Sequence, residues 1–275
     1  MDNFLETNFS LKGKTAVITG GTGILGSVIA KGLGKAGAKI ALTGRKNYEE
    51  SAKNLISEGI EAKGYQLDIL KKEEIFKCSE KIISDFENIS ILVNCIGGNI
   101  EEATTSSELS FFDLPLNSLE KVISLNIFGG AILPSQVFGK YMVKNKEESS
   151  IINISSMNAF RPLTRIPGYS AAKAAVSNFT QWLAVHLAQQ YNKNIRVNAI
   201  APGFFLTQQN RYLLLDEKEN LTQRGHTIIN HTPMGRFGEP EDLIGICIFL
   251  ASDSSKFITG TVIPIDGGFN AFSGV

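Results

Sequence analysis

Tyr169 and Lys173 stand four positions apart in the run Tyr-Ser-Ala-Ala-Lys. On a helix that spacing puts both side chains on one face. A phenol, with an ordinary pKa of about 10, is a poor proton-transfer group at neutral pH. An ammonium beside it favours the phenolate and should lower that value. The pair could therefore act as a general acid/base near physiological pH. Taken alone, the same spacing also fits a surface contact between two unconnected side chains.

A second chemical feature opens the chain. The β-branched run Thr15–Thr19 leads into Gly20-Gly21-Thr22-Gly23-Ile24-Leu25-Gly26, in which Gly21, Gly23 and Gly26 satisfy G-x-G-x-x-G. A tight strand-to-helix turn favours glycine because its backbone can adopt positive φ. A helix N-terminus following such a turn offers free N–H groups and a positive dipole end to a pyrophosphate. Glycine turns also occur without a ligand, but this one lies between a strand and a helix, where a dinucleotide site requires it. After the second strand the chain reads Gly44-Arg45-Lys46. No carboxylate is present there for a ribose 2′-OH, and the arginine suits a 2′-phosphate, which leans towards NADP(H). Arg45 and Lys46 also fit a solvated surface.

Placing these features requires an ordered scaffold. Strand-like and helix-like segments alternate throughout. Expected strands are Thr15–Thr19, Lys39–Thr43, Gly64–Leu67, Ser90–Asn94, Ser150–Ile154, Ile195–Ile200 and Val262–Ile265. Expected helices run from Gly26 to about Ala36, then Glu49–Ser57, Lys71–Phe86, Leu119–Val143 (in one or two pieces), Tyr169–Tyr191 and Pro240–Ala251. This alternation predicts an α/β fold: one doubly wound parallel sheet of about seven strands, with helices on both faces and a single domain over residues 1–275. The segment Gly203–Pro233 is the least regular, and a long loop in such a fold is usually a lid or binding loop.

Composition excludes several classes. The 275 residues are 43% hydrophobic, and 27 Lys+Arg balance 27 Asp+Glu, so no global charge draws the chain to nucleic acid or an acidic membrane. Cys78, Cys95 and Cys247 are dispersed, with no CxxC, and His186, His226 and His231 are scattered. Neither a disulfide framework nor a metal site is expected, and a reducing cytoplasm fits. The first ten residues lack a signal-peptide core, and no uninterrupted apolar run reaches the ~18 residues of a membrane span.

Taken together, these motifs resemble the short-chain dehydrogenase/reductase family over almost the whole chain. Tyr169 and Lys173 match that family's active-site pair, Ser156 its serine, and Asn126 in Ser-Leu-Asn-Ile-Phe-Gly its asparagine. Asn94-Cys95-Ile96-Gly97 looks like its Asn-Asn-Ala-Gly segment with two substitutions. Asp68-Ile69 stands where members hold the adenine, and Pro202-Gly203 with Phe205 and Thr207 resembles the stretch over the nicotinamide. The glycine turn departs from the single-domain pattern: Ile24 replaces the middle glycine and Gly23 stands one place earlier.

The resemblance implies hydride transfer between a nicotinamide and a substrate carbon. Tyr169 would exchange the proton and Ser156 would hold the carbonyl oxygen. Lys173 would lower the tyrosine pKa and hold the ribose, and Asn126 would support a water in a proton relay. The implied coenzyme contacts are Gly20 to Gly26, Gly44, Arg45, Asp68, Ile69, Asn94, Ile96, Gly97, Tyr169, Lys173, Pro202, Gly203, Phe205 and Thr207. On the substrate side, residues 157–168 and 203–233 carry Asn158, Arg161, Arg165, Gln209, Asn210, Arg211 and His231 beside Ser156. Guanidinium and amide groups suit a carboxylate with hydroxyls better than a steroid or acyl chain. Stretches such as Ile195–Arg211 (IRVNAIAPGFFLTQQNR) resemble the family's sugar-acid members, the D-mannonate oxidoreductases or fructuronate reductases. This implies a hexuronate or aldonate substrate, D-fructuronate reduced to D-mannonate. Those members are generally described with NAD(H), against the lean from Gly44–Arg45, so NAD versus NADP stays open. A 3-oxoacyl or small-ketone reductase of the same family, and a non-catalytic dinucleotide sensor, are the alternatives. The small residues of the helix after Tyr169 permit close helix approach, and the resemblance implies a homotetramer.

Overall fold

The computed structural model describes residues 4–208 and 210–274. Its elements alternate as β1 (Thr15–Thr19), β2 (Lys39–Gly44), β3 (Ala62–Gln66), β4 (Ile91–Asn94), β5 (Ser149–Ile154), β6 (Ile195–Pro202) and β7 (Val262–Ile265). Between and around them run α1 (Phe4–Phe9), α2 (Ile24–Lys35), α3 (Tyr48–Ser57), α4 (Lys72–Phe86), α5 (Leu116–Ile123), α6 (Leu133–Met142), α7 (Pro167–Gln190), α8 (Arg211–Leu214), α9 (Gln223–Asn230) and α10 (Ile244–Ala251). The strands form one parallel sheet in the order β3-β2-β1-β4-β5-β6-β7.

Burial explains the sequence pattern. Strands covered on both faces are mostly apolar, and their buried polar side chains must find hydrogen-bond partners. All five residues of β1 and all eight of β6 are buried. Alternate side chains feed two cores: Ala16 and Ile18 of β1 pack with Ile29 and Leu33 of α2 and Leu250 of α10, whereas Val17 packs with Ile82 of α4, Val137 and Phe138 of α6 and Leu187 of α7.

The strand order reverses direction between β1 and β4. Chains leaving the carboxyl ends of these neighbours diverge to opposite faces, which opens a crevice there. Thr19 and Asn94 are paired at those two ends, directly below the glycine turn and the Cys95–Gly97 segment.

The expected helix Leu119–Val143 is continuous from Leu116 to Met142, but its middle, Ser124–Ile132, takes π-helical spacing. This helix is long and apolar enough to cross a membrane by length and composition, although no single apolar run in the sequence is. Just over half of that apolar stretch, 56%, is buried inside the protein, where the helix packs on α7 as part of the core. Gly130 lies in the π segment because a Cβ there would come within 2.5 Å of the Ile96 carbonyl oxygen. The irregular Gly203–Pro233 segment contains α8 and α9, and α1 precedes the expected first strand.

Candidate active site

The glycine turn is shaped by three different demands. Gly20 has φ +68°, the left-handed region that favours glycine. Gly21 is buried against β2, its N–H donating to the Thr43 carbonyl at 3.0 Å, and a Cβ there would lie 2.7 Å from that of Leu42. Gly26 presses α2 onto the turn: a Cβ would sit 2.9 Å from the Gly20 carbonyl carbon and 3.1 Å from the Gly21 Cα. Gly23 is the N-cap of α2, with ordinary φ of −82° and no side-chain cap. The first amides of α2 therefore remain available to an anion.

From this turn a cleft of about 390 Å³ runs along the ends of β4, β5 and β6, lined by Gly20, Gly23 to Gly26, Cys95 to Gly97, Ile154 to Ser156, Tyr169, Lys173, Pro202, Gly203, Phe205, Thr207 and Asn210. The sequence-predicted glycine turn, serine, tyrosine and lysine thus share one cavity.

Helix α7 delivers the Tyr169–Lys173 pair. Pro167 stands in its first turn, where a missing N–H costs nothing. Ser155 fixes the helix by donating to the Lys173 carbonyl at 3.1 Å and exchanging a 2.7 Å hydrogen bond with Ser177. The Lys173 ammonium is buried, donates to the Ile154 carbonyl at 2.7 Å, and lies 5.6 Å from the centre of the Tyr169 ring. Burial pulls its pKa down to about 8, opposed weakly by the Cys95 thiol. Burial raises the Tyr169 phenol above its ordinary value, and the Ser156 hydroxyl acts in the opposite sense. The expectation that Lys173 lowers the phenol is not met in this arrangement. The ammonium is turned to a backbone carbonyl over the ring face, and it is itself pushed towards neutrality.

Ser156 caps a short turn, accepting from the Asn158 N–H at 3.2 Å. Asn126, fully buried in the π segment, grips Gly98 in both directions: its oxygen accepts from the Gly98 N–H at 3.1 Å and its amide donates to the Gly98 carbonyl at 2.7 Å. The amide also donates to the Val122 carbonyl. A Cβ on Gly97 would collide with both the Asn126 oxygen (2.6 Å) and the Lys173 nitrogen (2.9 Å), so the glycine lets these groups converge.

Other predicted positions lie around this centre. Gly44 ends β2 beneath Thr22, whose Oγ1 and Cγ2 would both be 2.5 Å from a Cβ at position 44. Arg45 beside it is exposed. Asp68 accepts from the Leu70 N–H at 3.2 Å, and Ile69 is buried against Gly129. Asn94 lies within the sheet, donating to Ser135 and Asn153, and its side chain does not line the cleft. Among the described substrate-side candidates, only Ser156 and Asn210 reach the cavity wall. Asn210 holds the Phe205–Thr207 turn, accepting from the Thr207 N–H at 2.8 Å and donating to the Phe205 carbonyl at 2.7 Å. Asn158 is buried and accepts from the Leu163 N–H. Arg161 is exposed, Arg165 is bonded to Thr105, Arg211 is paired with Glu219, and His231 bonds the Thr227 carbonyl, all outside the cavity lining. Gln209 lies outside the described residues. Cys95 and Ser155 line the cleft without having been singled out as site residues; their positions next to Asn94 and Ser156 were the available signal.

The family model described as enoyl-(acyl carrier protein) reductase matches residues 22–270. The chain belongs to the short-chain dehydrogenase/reductase family. A crystal structure described as a candidate D-mannonate oxidoreductase from Haemophilus influenza, with bound NAD, superposes with a TM-score of 0.90 at 46% identity, over 97% of this chain and 98% of that one. The 2-dehydro-3-deoxy-D-gluconate 5-dehydrogenase of Escherichia coli (strain K12) is 35% identical over 264 residues, 96% of this chain and 98% of its own length. A structure described as a candidate NAD(P)-dependent gluconate 5-dehydrogenase from Beutenbergia cavernae, with NADP at low occupancy, superposes with a TM-score of 0.82 at 31% identity, covering 96% and 99% of the two chains. The chain is thus an oxidoreductase of this family, with a cleft suited to NAD(P).

Proposed function

We propose that this chain is a single-domain NAD(P)-dependent reductase of a keto sugar acid, D-fructuronate to D-mannonate, working as a homotetramer. The observation that carries the reading is the meeting of the glycine turn with Ser156, Tyr169 and Lys173 in one cleft. The cradle fits a dinucleotide: Gly20 and Gly26 leave no room for side chains, and the uncapped start of α2 presents backbone N–H groups to a pyrophosphate. Gly20 to Gly26, Ile96, Gly97, Pro202, Gly203, Phe205 and Thr207 would hold the coenzyme, with Gly44, Arg45, Asp68 and Ile69 at its adenosine end and Asn94 bracing the sheet below. When bound, the nicotinamide supplies the hydride for the carbonyl carbon.

This chain's residues do the rest. Ser156 donates to the substrate carbonyl oxygen and orients it. The Tyr169 phenol, kept protonated by its burial, gives its proton to that oxygen as the alcohol forms. Lys173 would hold the nicotinamide ribose, and Asn126 holds Gly98 and the backbone beside Lys173 in place.

The sugar-acid substrate is supported by the names of the relatives. The description of the matched family model favours an acyl substrate as the second reading. A matrix of NADH and NADPH against D-fructuronate, 5-keto-D-gluconate, a 3-oxoacyl thioester and simple ketones tests both. Coenzyme oxidation is expected with the keto sugar acids. Turnover of the thioester alone would reject the sugar-acid reading.

A further inference from the structure

Residues 98–105 form a strap between the Asn126 side chain and the chain entering α7. At one end, Asn126 clamps both polar groups of the Gly98 backbone, next to Lys173. In the middle, the Asn99 amide donates to the Ile100 carbonyl at 2.9 Å and to the Thr104 hydroxyl at 2.7 Å, the Thr104 hydroxyl donates back to the Ile100 carbonyl, and Ala103 is fully buried. At the other end, Thr105 and Arg165 exchange two hydrogen bonds of 2.9 Å: the Thr105 N–H donates to the Arg165 carbonyl, and the Arg165 Nε donates to the Thr105 carbonyl. Arg165 is two residues before the start of α7 and four before Tyr169. The strap therefore links the backbone beside the lysine to the backbone entering the tyrosine.

We infer that Arg165 is a positioning residue that fastens this strap, and does not bind the substrate carboxylate. The bond from Nε fixes the guanidinium along the strap's backbone, and Arg165 does not line the cleft. An arginine performs this task better than a lysine, because its Nε–H points along a fixed plane while an ammonium is free to rotate. The Asn99 carboxamide oxygen is buried without a hydrogen-bond partner.

The inference rests on the reductase reading only for its kinetic arm. The test uses Arg165→Ala, Arg165→Lys and Thr105→Pro in the full chain. Thr105→Pro deletes the backbone donor, together with the hydroxyl that donates to the same Arg165 carbonyl at 3.4 Å, without touching any charge. Amide hydrogen exchange over residues 99–105, read without substrate, should lose protection in all three variants. In the kinetic arm, KM for the keto acid should rise about three- to tenfold in each, as expected for loss of one hydrogen bond. kcat and coenzyme affinity should stay within about twofold, and the Arg165→Ala/Thr105→Pro double variant should be no worse than either single one. A carboxylate ligand would behave otherwise: Arg165→Lys would recover most of the affinity, Thr105→Pro would be near wild type, and a neutral keto sugar would be unaffected by Arg165→Ala. That pattern, or unchanged exchange over 99–105, would overturn the inference. Absence of turnover in the wild type would instead reject the reductase reading and leave the exchange arm standing.

Discussion

Two glycines of the same motif should fail in different ways when given a methyl group. At Gly26 a Cβ would stand 2.9 Å from the Gly20 carbonyl carbon and 3.1 Å from the Gly21 Cα, both backbone atoms inside the 3.4 Å of ordinary contact. Relief requires α2 and the turn to separate by several tenths of an ångström, and α2 contributes fully buried Ile29 and Leu33 to the core. Overpacking of this kind costs about 1–3 kcal/mol. At Gly23 the nearest atom is the Gly20 carbonyl oxygen at 3.3 Å, and φ is −82°, so alanine fits with a small adjustment. Its cost should fall on the ligand, because a methyl at the second glycine of the motif stands where the backbone meets the pyrophosphate. Urea unfolding without coenzyme should therefore show Gly26→Ala destabilised by about 1–3 kcal/mol and Gly23→Ala within about 0.5 kcal/mol of wild type. Coenzyme titration should show Gly23→Ala binding at least about tenfold more weakly, a loss of ~1.4 kcal/mol. A Gly26→Ala protein as stable as wild type, or a Gly23→Ala protein that binds normally, would refute the division of roles.

The other expectations concern the core, the lysine and coenzyme choice. Arg196, buried on β6, donates to the Leu250 and Ser252 carbonyls and the Ser255 hydroxyl at the end of α10 and faces Glu148 at 3.7 Å; Arg196→Ala removes these bonds and leaves a cavity, and should cost about 2–4 kcal/mol in urea unfolding. Burial holds the Lys173 pKa near 8, below the unfolded value of 10.5, so between those pH values the unfolded chain binds the extra proton. Wild type should thus gain stability relative to Lys173→Met as pH rises through that window, and parallel curves for the two would contradict the assignment. Gly44→Asp, which would introduce an acceptor for a ribose 2′-OH, should lower the melting temperature, because Thr22 fills the space of its Cβ. Thr22→Ala in the same chain should restore much of that loss by removing the crowding atoms.

Much of the architecture was legible because two signals agreed. Glycine punctuation and β-branched runs marked β1, β4 and β6, and full burial on both faces kept them mostly apolar, with Arg196 and Asn198 as polar exceptions in β6. The Tyr169–Lys173 spacing translated directly into a shared face because α7 is regular from Pro167 onwards. Three things were less accessible. The rise of the Tyr169 pKa comes from burial of the phenol in the folded cleft, and the Ile154 carbonyl that holds the Lys173 ammonium is distant in sequence. The π segment Ser124–Ile132 contains Gly130, where Ile96 approaches closely, a tertiary contact that local periodicity does not encode. The substrate-side arginines were chosen by residue type, yet Arg165 and Arg211 are engaged by Thr105 and Glu219, partners outside the segment or across a turn. The strap at 98–105 carries no charge run or repeat; Asn99 and Thr104 acquire meaning only through their mutual hydrogen bonds.

The central claim is that the Tyr169 phenol moves the proton while a hydride passes between coenzyme and a keto sugar acid. It is tested most directly by following NADH and NADPH oxidation by absorbance with D-fructuronate, for wild type and Tyr169→Phe at matched coenzyme saturation. The account predicts turnover by the wild type and a fall of about 10²–10⁴ in kcat for the phenylalanine variant, with coenzyme affinity little changed. A variant that turns over as fast as wild type would contradict it.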